Sequence, residues 1–187
     1  GLSLRVSREG PRRGTAGALA LVVPKVRAEV LVIAPVDTVF PYHRLRQYIA
    51  VHRDEHDGLT WLVTTRWDER AQNAGRILLD GSRRKVVATM EGVTVGRNAR
   101  RHGLVAATSG GVMLADRSFL ARHLEAFEGE RRPSGSSDLY RDVAPWLLQR
   151  GVIVHALDVM HPVIDLGSPE RIAPSLQDHA LELRDAR

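Results

Sequence analysis

Apolar residues along this chain alternate between the spacing of β-strands and the spacing of α-helices. The run "EVLVIA" at 29–34 is continuous and β-branched, which predicts a strand covered on both faces. Residues 14–28 ("GTAGALALVVPKVRA") predict a helix that Pro24 bends or ends, and residues 42–56 predict a second helix ended by "DG". The alternating stretch "LSLRV" at 2–6 predicts an initial strand. Strands and helices therefore alternate from the beginning of the chain.

The same alternation continues through the rest of the sequence. "LTWLVTT" predicts a strand, "GRILL" and "KVVATM" predict a hairpin around the turn "DGSRR", and "VMLA" predicts a further strand. Helices are predicted at 116–127 and 137–150, followed by a strand in "VIVHAL", a strand near Asp165 and a last helix after Ser168. This order predicts one α/β domain with a mainly parallel, Rossmann-like sheet flanked by helices and an antiparallel hairpin excursion.

Composition excludes several classes of protein. No apolar run approaches the roughly 20 residues that span a bilayer, and the first residues lack a charged segment followed by an apolar one. The 187-residue chain contains no cysteine, which excludes a disulfide framework and a thiolate metal site. We therefore expect a cytoplasmic protein with no membrane partner, whose chemistry uses oxygen and nitrogen ligands.

The charge balance favours partners that carry phosphate. Lysine and arginine number 27 against 22 acidic residues, which gives a formal net charge of +5. Lys25 and Lys85 are the only lysines in the sequence, so nearly all the cations are arginines, which suit bidentate phosphate contacts. A GC-rich genome produces the same bias. Charge alone leaves both a nucleotide-binding protein and a basic nucleic-acid-binding domain open.

Two predicted strands end on a lone carboxylate. Asp37 follows "VLVIAPV", and Asp165 follows the short apolar strand in "HPVIDLGSPERI". In a doubly wound sheet, ligands bind beyond the carboxyl ends of the strands, and Mg²⁺ is bound there by one or two carboxylates plus phosphate oxygens. Two strand-end carboxylates are therefore suited to share one metal ion. The alternative for Asp37 is a structural role as the cap of the next turn, "DTVFP".

Five segments, in order along almost the entire chain, resemble the sugar-1-phosphate nucleotidyltransferases. This family includes mannose-1-phosphate guanylyltransferase and glucose-1-phosphate thymidylyltransferase. "GTAGAL" is similar to its nucleotide-loop motif, "PVDTVF" to its strand that ends in Asp, and "AGRILLDGSRRKVVATME" to its hairpin from Y-G-V to E-K-P. "SSDLYRDVAPWLLQRG" is similar to its D-x-x-P-x-L helix, and "VIDLGSPE" to its W-x-D-x-G-T-P-E segment.

The resemblance implies an activity, its reactants and a set of site residues. A nucleoside triphosphate, of the GTP or dTTP class, would react with a sugar 1-phosphate to give a nucleotide sugar and pyrophosphate, with Mg²⁺ as cofactor and no nucleic-acid partner. The catalytic metal ligands would be Asp37 and Asp165. The residues that would contact the nucleotide are Glu9, Gly14, Thr15, Ala16 and Gly17, and those that would face the sugar are Gly75 and Glu91.

The sequence also departs from the pattern of this family. It begins at what resembles a later strand, so the family's opening strand and its G-x-G-T-R-L loop are expected to be missing from residues 1–187. Gly92 stands where the family has the lysine of E-K-P, "TSGGVML" lacks the usual asparagine, and Val163 replaces the tryptophan. These substitutions support an alternative, a non-catalytic regulatory or interaction member with the same fold.

Two further local patterns compete with this interpretation. "HRDEH" at 52–56 matches H-x-x-E-H, a zinc-protease pattern that places His52 and His56 on one helix face. Zinc would need a third ligand and the helix ends at once, so a solvated helix end is the favoured prediction. "GRNARRHG" at 96–103 has the charge of a phosphate- or RNA-binding loop, but it has no aromatic residues for stacking, which favours a solvated surface loop.

Overall fold

The computed structural model describes residues 5–8, 10–39, 42–65, 76–81, 84–90, 103–130, 135–160 and 164–165. The helices are α1 (Gly14–Val22), α2 (Leu45–Glu55), α3 (Arg117–Glu130) and α4 (Ala144–Gln149). The strands are β1 (Val30–Ile33), β2 (Thr38–Val39), β3 (Leu59–Thr64), β4 (Arg76–Asp80), β5 (Lys85–Met90), β6 (Leu104–Asp116), β7 (His155–Asp158) and β8 (Ile164–Asp165). Short 3₁₀ turns at Val23–Lys25 and Tyr42–Arg44 and a π-helical turn at Leu139–Val143 complete the described elements.

Most of the elements predicted from the sequence are confirmed. The helix at 14–28 ends in the 3₁₀ turn that contains Pro24, as the position of this proline requires. The hairpin is formed by β4 and β5, in which Arg76 pairs with Met90 and Asp80 pairs with Lys85. Most of the predicted strand at 2–6 and the last helix after Ser168 lie outside the described residues. Within the described ranges, every helix is too short or too polar to cross a membrane.

Six strands form one sheet in the order β1-β6-β3-β7-β5-β4, and β4 also pairs with β6. The long strand β6 makes this second pairing possible. One edge of β6 pairs with β3, while the opposite edge pairs first with β4, over 104–108, and then with β1, over 113–116. The pairings of the described strands therefore close into a ring, and β1 extends from it. β2 and β8 form a separate two-stranded sheet.

The prediction of a mainly parallel sheet is wrong for the described strands. Among them, the pair of β3 and β7 is the one parallel pairing, and all the others are antiparallel. The physical reason is that β6 runs in the opposite direction between β1 and β3. The strands β1, β3 and β7 still point the same way, so their carboxyl ends share one edge of the sheet. The fold is thus mixed α/β.

Helices cover both faces of the sheet. Leu59, Trp61 and Val63 of β3 face a core that includes Leu120 of α3 and Leu147 of α4. The alternate residue of β3, Leu62, packs on the other face with Tyr48 of α2, Leu114 and Leu157. All six residues of β3 are buried, as expected for a strand with helices on both faces. β3 is therefore the central strand of a three-layered arrangement.

β1 is confirmed as a strand, but its surroundings differ from the prediction. It pairs with β6 along one edge, and no other described strand pairs with its second edge. Leu31 and Ile33 pack against the core, whereas Val32 is 38% exposed. An apolar strand with a hydrogen-bonding edge left open among the described residues is prone to pair with another chain.

Candidate functional site

The carboxyl ends of β1, β3 and β7 form the edge of the sheet where a ligand is expected. Because these strands run in one direction, the residues that follow them come to the same side of the molecule. Asp37 lies in the turn after β1, Thr65 follows β3, and Asp158 ends β7. This edge therefore collects polar side chains from three separate parts of the chain.

Asp37 lies in an exposed turn between β1 and β2. Its neighbour Val36 is 105% exposed, so the turn projects from the sheet. No hydrogen bond or ion pair joins the Asp37 carboxylate to another described residue. In a cap the carboxylate accepts a hydrogen bond from a backbone N–H group, so the alternative of a structural turn cap has no support among the described contacts.

The two-stranded sheet brings the positions of Asp37 and Asp165 together. β2 and β8 are antiparallel, with Thr38 opposite Asp165 and Val39 opposite Ile164. Adjacent strands lie about 4.7–4.9 Å apart, so the backbone of Asp165 is one strand away from the residue that follows Asp37. Their roles as catalytic residues and metal ligands stay predictions.

The donor chemistry at this edge suits a hard cation. An exposed carboxylate without a described partner offers oxygen ligands, which Mg²⁺ prefers. Among the described residues there is no group of three or more histidine, aspartate or glutamate side chains arranged to hold a metal. Mg²⁺ needs no such cage, because it usually takes one or two carboxylates and completes its shell with water and phosphate oxygens.

The "GTAGAL" segment, predicted to contact a nucleotide, begins α1 and packs against residues 137–139. The N–H of Ala16 donates to the carbonyl oxygen of Ser137 at 3.0 Å, and the N–H of Ser137 donates to the carbonyl oxygen of Arg13 at 2.7 Å. Gly14 has a φ of +78°. A Cβ atom there would lie 2.9 Å from the carbonyl carbon of Ser137, so this approach requires glycine.

The hydroxyl group of Thr15 fastens α1 to the π-helical turn. It donates to Oδ2 of Asp138 at 3.0 Å and accepts from the N–H of Leu139 at 2.8 Å. Oδ1 of Asp138 accepts from the N–H groups of Tyr140 and Arg141, at 2.8 and 2.9 Å, and so caps the turn. Since Ala16 and Gly17 are also buried, the contacts of this segment among the described residues are structural. Nucleotide contact by Gly14 to Gly17 stays a prediction.

A bulge in β6 lies beside the Asp37 turn. Trp61 pairs with Met113 and Val63 pairs with Ser109, so residues 110–112 stand opposite Leu62 alone. Gly111 has a φ of +72°, and a Cβ atom there would lie 2.8 Å from Cγ of Pro35. Bulges are frequent beside active sites because they bend a strand and redirect its side chains.

Hydrogen bonds hold this bulge in one conformation. Oγ of Ser109 accepts from Nε1 of Trp61 and from the N–H of Gly111, the latter at 3.0 Å. The hydroxyl group of Tyr140 donates to the carbonyl oxygen of Gly111, and burial raises the pKa of this tyrosine. The bulge was not predicted, although paired glycines inside a strand-like run ("TSGGVML") are its usual signal.

Asp158 is a second carboxylate at this edge, and it was not among the residues predicted from the sequence. It accepts hydrogen bonds from the hydroxyl group of Thr65 and, at 2.9 Å, from the N–H of Met160. These bonds tie the end of β7 to the end of β3. Asp158 therefore has protein partners, unlike Asp37.

Several of the predicted positions lie outside the described residues. They are Glu9, Gly75, Glu91, Gly92 and Val163. Gly75 and Glu91 are adjacent in sequence to Arg76 and Met90, which pair at the open end of the hairpin. Nearly all of the basic loop at 96–103 also lies outside these residues.

The two histidines of "HRDEH" are on α2, as predicted, but one of them is not solvated. Arg53, Asp54 and Glu55 are exposed, whereas His52 is 0% exposed. Nδ1 of both His52 and His56 lies within hydrogen-bonding distance of the Thr60 hydroxyl group, at 2.8 and 3.0 Å. The described residues provide no third ligand for zinc at these histidines. The prediction of a solvated helix end is therefore wrong for His52.

No family model and no curated protein matches the sequence. Solved structures do match it. The inositol-1-phosphate CTP transferase of T. maritima superposes with a TM-score of 0.67 and 15% identity, over 89% of this chain and 61% of that chain. A Bacillus anthracis protein described as a glucose-1-phosphate thymidylyltransferase, in complex with a sucrose, gives a TM-score of 0.65 and 20% identity over 89% and 61%.

This chain has the fold of the sugar-1-phosphate nucleotidyltransferases. HddC of Yersinia pseudotuberculosis also matches, with a TM-score of 0.64 and 17% identity over 91% of this chain and 64% of that chain. Another HddC structure, complexed with GMP-PN, gives a TM-score of 0.62 and 16% identity. The chain thus spans between 61% and 64% of the length of these structures. The resemblance inferred from the sequence is confirmed at the level of the fold.

Proposed function

We propose that this chain is part of a nucleotidyltransferase that joins a nucleoside triphosphate to a sugar 1-phosphate and releases pyrophosphate. The observation that carries this proposal is the pairing of β2 with β8, which sets Asp165 opposite the residue after Asp37. The fold of the solved structures supports the same reaction class. The pairing supports a shared role for the two residues, because it brings their backbone positions together after the carboxyl end of β1.

The proposed reaction needs no nucleophile from the protein. An oxygen of the sugar phosphate attacks the α-phosphorus in line, and the bond from the α-phosphorus to the bridging oxygen breaks to release pyrophosphate. Asp37 and Asp165 would hold Mg²⁺, which when bound screens the phosphate charges and orients the reactants. The chain itself helps to position the Asp37 turn, because the hydrogen bonds of Ser109 and Tyr140 stabilise the bulge beside it.

The reactants proposed are a triphosphate of the GTP or dTTP class and a sugar 1-phosphate. Two neighbours that are solved with GMP-PN or with a sucrose support a site of this general chemistry. In this proposal Glu9 and Gly14 to Gly17 contact the nucleotide, and Gly75 and Glu91 contact the sugar. A cytoplasmic location and the absence of nucleic-acid and membrane partners stay predictions.

A second function is favoured by one specific observation. The N–H of Ala16 and the hydroxyl of Thr15 are already bonded to residues 137–139, so they are not available to a nucleotide in this conformation. A regulatory or interaction member of the same fold has no need of a free nucleotide loop. The substitutions at Gly92, Val163 and "TSGG" also support a non-catalytic member of this fold.

Nucleotide binding distinguishes the two functions. The full-length protein that contains this chain is titrated with GTP and dTTP, with and without Mg²⁺, in a calorimeter, and pyrophosphate release is then followed with sugar 1-phosphates. Metal-dependent binding and turnover are expected, and both should be lost in Asp37→Asn. The matched control is Asp54→Asn, which changes an exposed carboxylate on α2. Absence of binding by the full-length protein would favour the non-catalytic function.

A further inference from the structure

Three histidines meet on the side of the sheet away from the carboxyl edge. His52 and His56 lie on α2, and His155 is the first residue of β7. Thr60 of β3 joins them: its hydroxyl oxygen is 2.8 Å from Nδ1 of His52 and 3.0 Å from Nδ1 of His56. His52 and Thr60 are both 0% exposed. This cluster has no part in the proposed reaction, so a role for its histidines must be sought elsewhere in the fold.

The imidazole rings of His56 and His155 are stacked. Their centroids are 4.4 Å apart and their planes differ by 12°. The stack joins the C-terminal end of α2 to the start of β7, because His155 pairs with Thr60 on the adjacent strand β3. Parallel stacking of this kind directs the ring nitrogens sideways and not toward a common point, which fits the absence of a metal cluster among the described residues.

The hydrogen-bond network assigns the protons of two of these rings. Nε2 of His52 is 3.3 Å from Oδ1 of Asp116, although the two are not aligned as a hydrogen bond. A lone pair facing a carboxylate is repelled, so in a neutral His52 ring Nε2 carries the hydrogen and Nδ1 accepts from Thr60. The Thr60 oxygen then accepts from the Nδ1–H of His56. An added proton can bind His56 only at its Nε2.

Several charged groups face the stacked pair. Burial, and next the other imidazole, lower the pKa of His56, while burial and next the Lys85 ammonium lower the pKa of His155. Arg84 and His52 act in the same direction, and Glu55 and Asp57 act against it. The net direction is downward for both rings, so a proton on either ring is disfavoured in the folded state relative to a free histidine.

The stack lies at the junction between β5 and β7, where the ring of strands is most weakly closed. Lys85 opposite His155 is the single register pair between these strands. Two flanking bonds support it: the N–H of Val86 donates to the oxygen of Val154, and the N–H of Ala156 donates to the oxygen of Arg84, both at 2.8 Å. Positive charge on the stack would therefore repel the cationic residues at the start of β5.

We propose that the stacked pair of His56 and His155 is an acid-sensitive latch, whose protonation releases the β4–β5 hairpin from β7. We call this pair the histidine latch. A histidine that is harder to protonate when folded adds stability above its unfolded pKa of about 6.5, and this stability is lost as the pH falls through the folded pKa. The hairpin junction is thus closed at neutral pH and opens on acidification.

Hydrogen exchange on the full-length wild-type protein tests the histidine latch. The amide groups of Val86 and Ala156 report the junction, and that of Leu114, in the centre of the sheet, is the internal reference. Protection, corrected for intrinsic exchange, should stay constant above about pH 6.5 and fall from there to about pH 5.5 by up to roughly tenfold per pH unit for each latch histidine, and by less at Leu114. Equal loss at Leu114, or no loss at the junction, would overturn the proposal.

Variants separate the latch from general acid sensitivity. His56→Gln and His155→Gln cannot titrate, so each should reduce the acid-induced loss of protection at Val86 and Ala156. His43→Gln is the matched control, because His43 is exposed on the turn before α2. If a glutamine variant does not fold, His155→Phe retains a stacked ring without a charge. If these variants are as acid-sensitive as the wild type, the latch is contradicted. Nuclear magnetic resonance titrations of the wild type would also contradict it if neither His56 nor His155 has a pKa below 6.5.

Discussion

Thr38 of β2 lies opposite Asp165 of β8 in an antiparallel pair. This relationship joins the turn after β1 to the strand β8, and it places the backbone of Asp165 one strand away from the residue that follows Asp37. Thr38 is buried, with 9% of its surface exposed, whereas the preceding Asp37 is exposed. The small sheet therefore begins at a buried residue directly after the exposed turn that carries Asp37.

Asp37→Asn should abolish nucleotidyl transfer by the full-length protein without unfolding it. The exposed carboxylate has no partner among the described residues. The free energy of unfolding of the protein should therefore change by no more than about 0.5 kcal/mol in this variant. The rate loss should exceed the roughly 10–100-fold typical of residues that only support metal ligands. Pyrophosphate release and urea unfolding measure the two effects, with Asp54→Asn as control. Unchanged turnover at saturating Mg²⁺ would show that Asp37 does not serve the metal.

Asp37→Ala and Asp165→Ala should each weaken metal-dependent nucleotide binding to a similar degree. Because both carboxylates are proposed to hold one ion, the double variant should be little weaker than either single variant. Calorimetric titration of the wild type, the two single variants and the double variant with triphosphate and Mg²⁺ gives the coupling free energy between the two residues. Losses that add together would assign the two residues separate roles.

Gly14→Ala should destabilise the protein, since its positive φ and its contact with Ser137 both exclude a side chain. A left-handed conformation alone costs about 1–2 kcal/mol for a residue with a Cβ atom, and the backbone contact adds to this. Gly129→Ala is the matched control, because a Cβ atom there meets nothing within 4 Å. Urea unfolding of both variants is the measurement. Equal stability of the two variants would mean that α1 does not pack against residues 137–139 in solution.

Residues 1–187 by themselves should not catalyse nucleotidyl transfer, even with Mg²⁺, triphosphate and sugar 1-phosphate supplied. No stretch of residues 1–187 matches the G-x-G-T-R-L loop that cradles the triphosphate in the family that the sequence resembles. Correct positioning is worth roughly 7–11 kcal/mol, so its loss should reduce activity below detection. A pyrophosphate-release assay checks this, and sustained turnover would require a phosphate cradle within "REGPRRGTAGAL".

The same segment should also self-associate through β1, whose second edge has no partner among the described strands. Size-exclusion chromatography at several concentrations measures this association. Val32→Lys places a charge on a side chain that is 38% exposed and should shift the segment toward the monomer. A wild-type segment that is monomeric at all concentrations would show that this edge is protected.

Local sequence patterns account for the type of most described elements, and they single out Asp37 as a candidate site residue. β1 and α1 follow from short-range patterns, because β-branched runs and helical spacing reflect interactions between residues a few positions apart. The turn residues of "DGSRR" set the β4–β5 hairpin in the same way. Asp37 stands out because a carboxylate at the end of an apolar strand interrupts its pattern.

The pairing of the strands and the contacts of the polar side chains are visible only in the folded chain. Nothing local in "VMLA" shows that β6 runs in reverse between β1 and β3, because strand direction depends on partners far away in sequence. The Thr15 hydroxyl meets Asp138, and His52 of the polar segment "HRDEH" is buried beside Thr60. Such contacts depend on how whole elements pack, and the same residues at the same local spacing would fit a solvated helix end or an open nucleotide loop equally well.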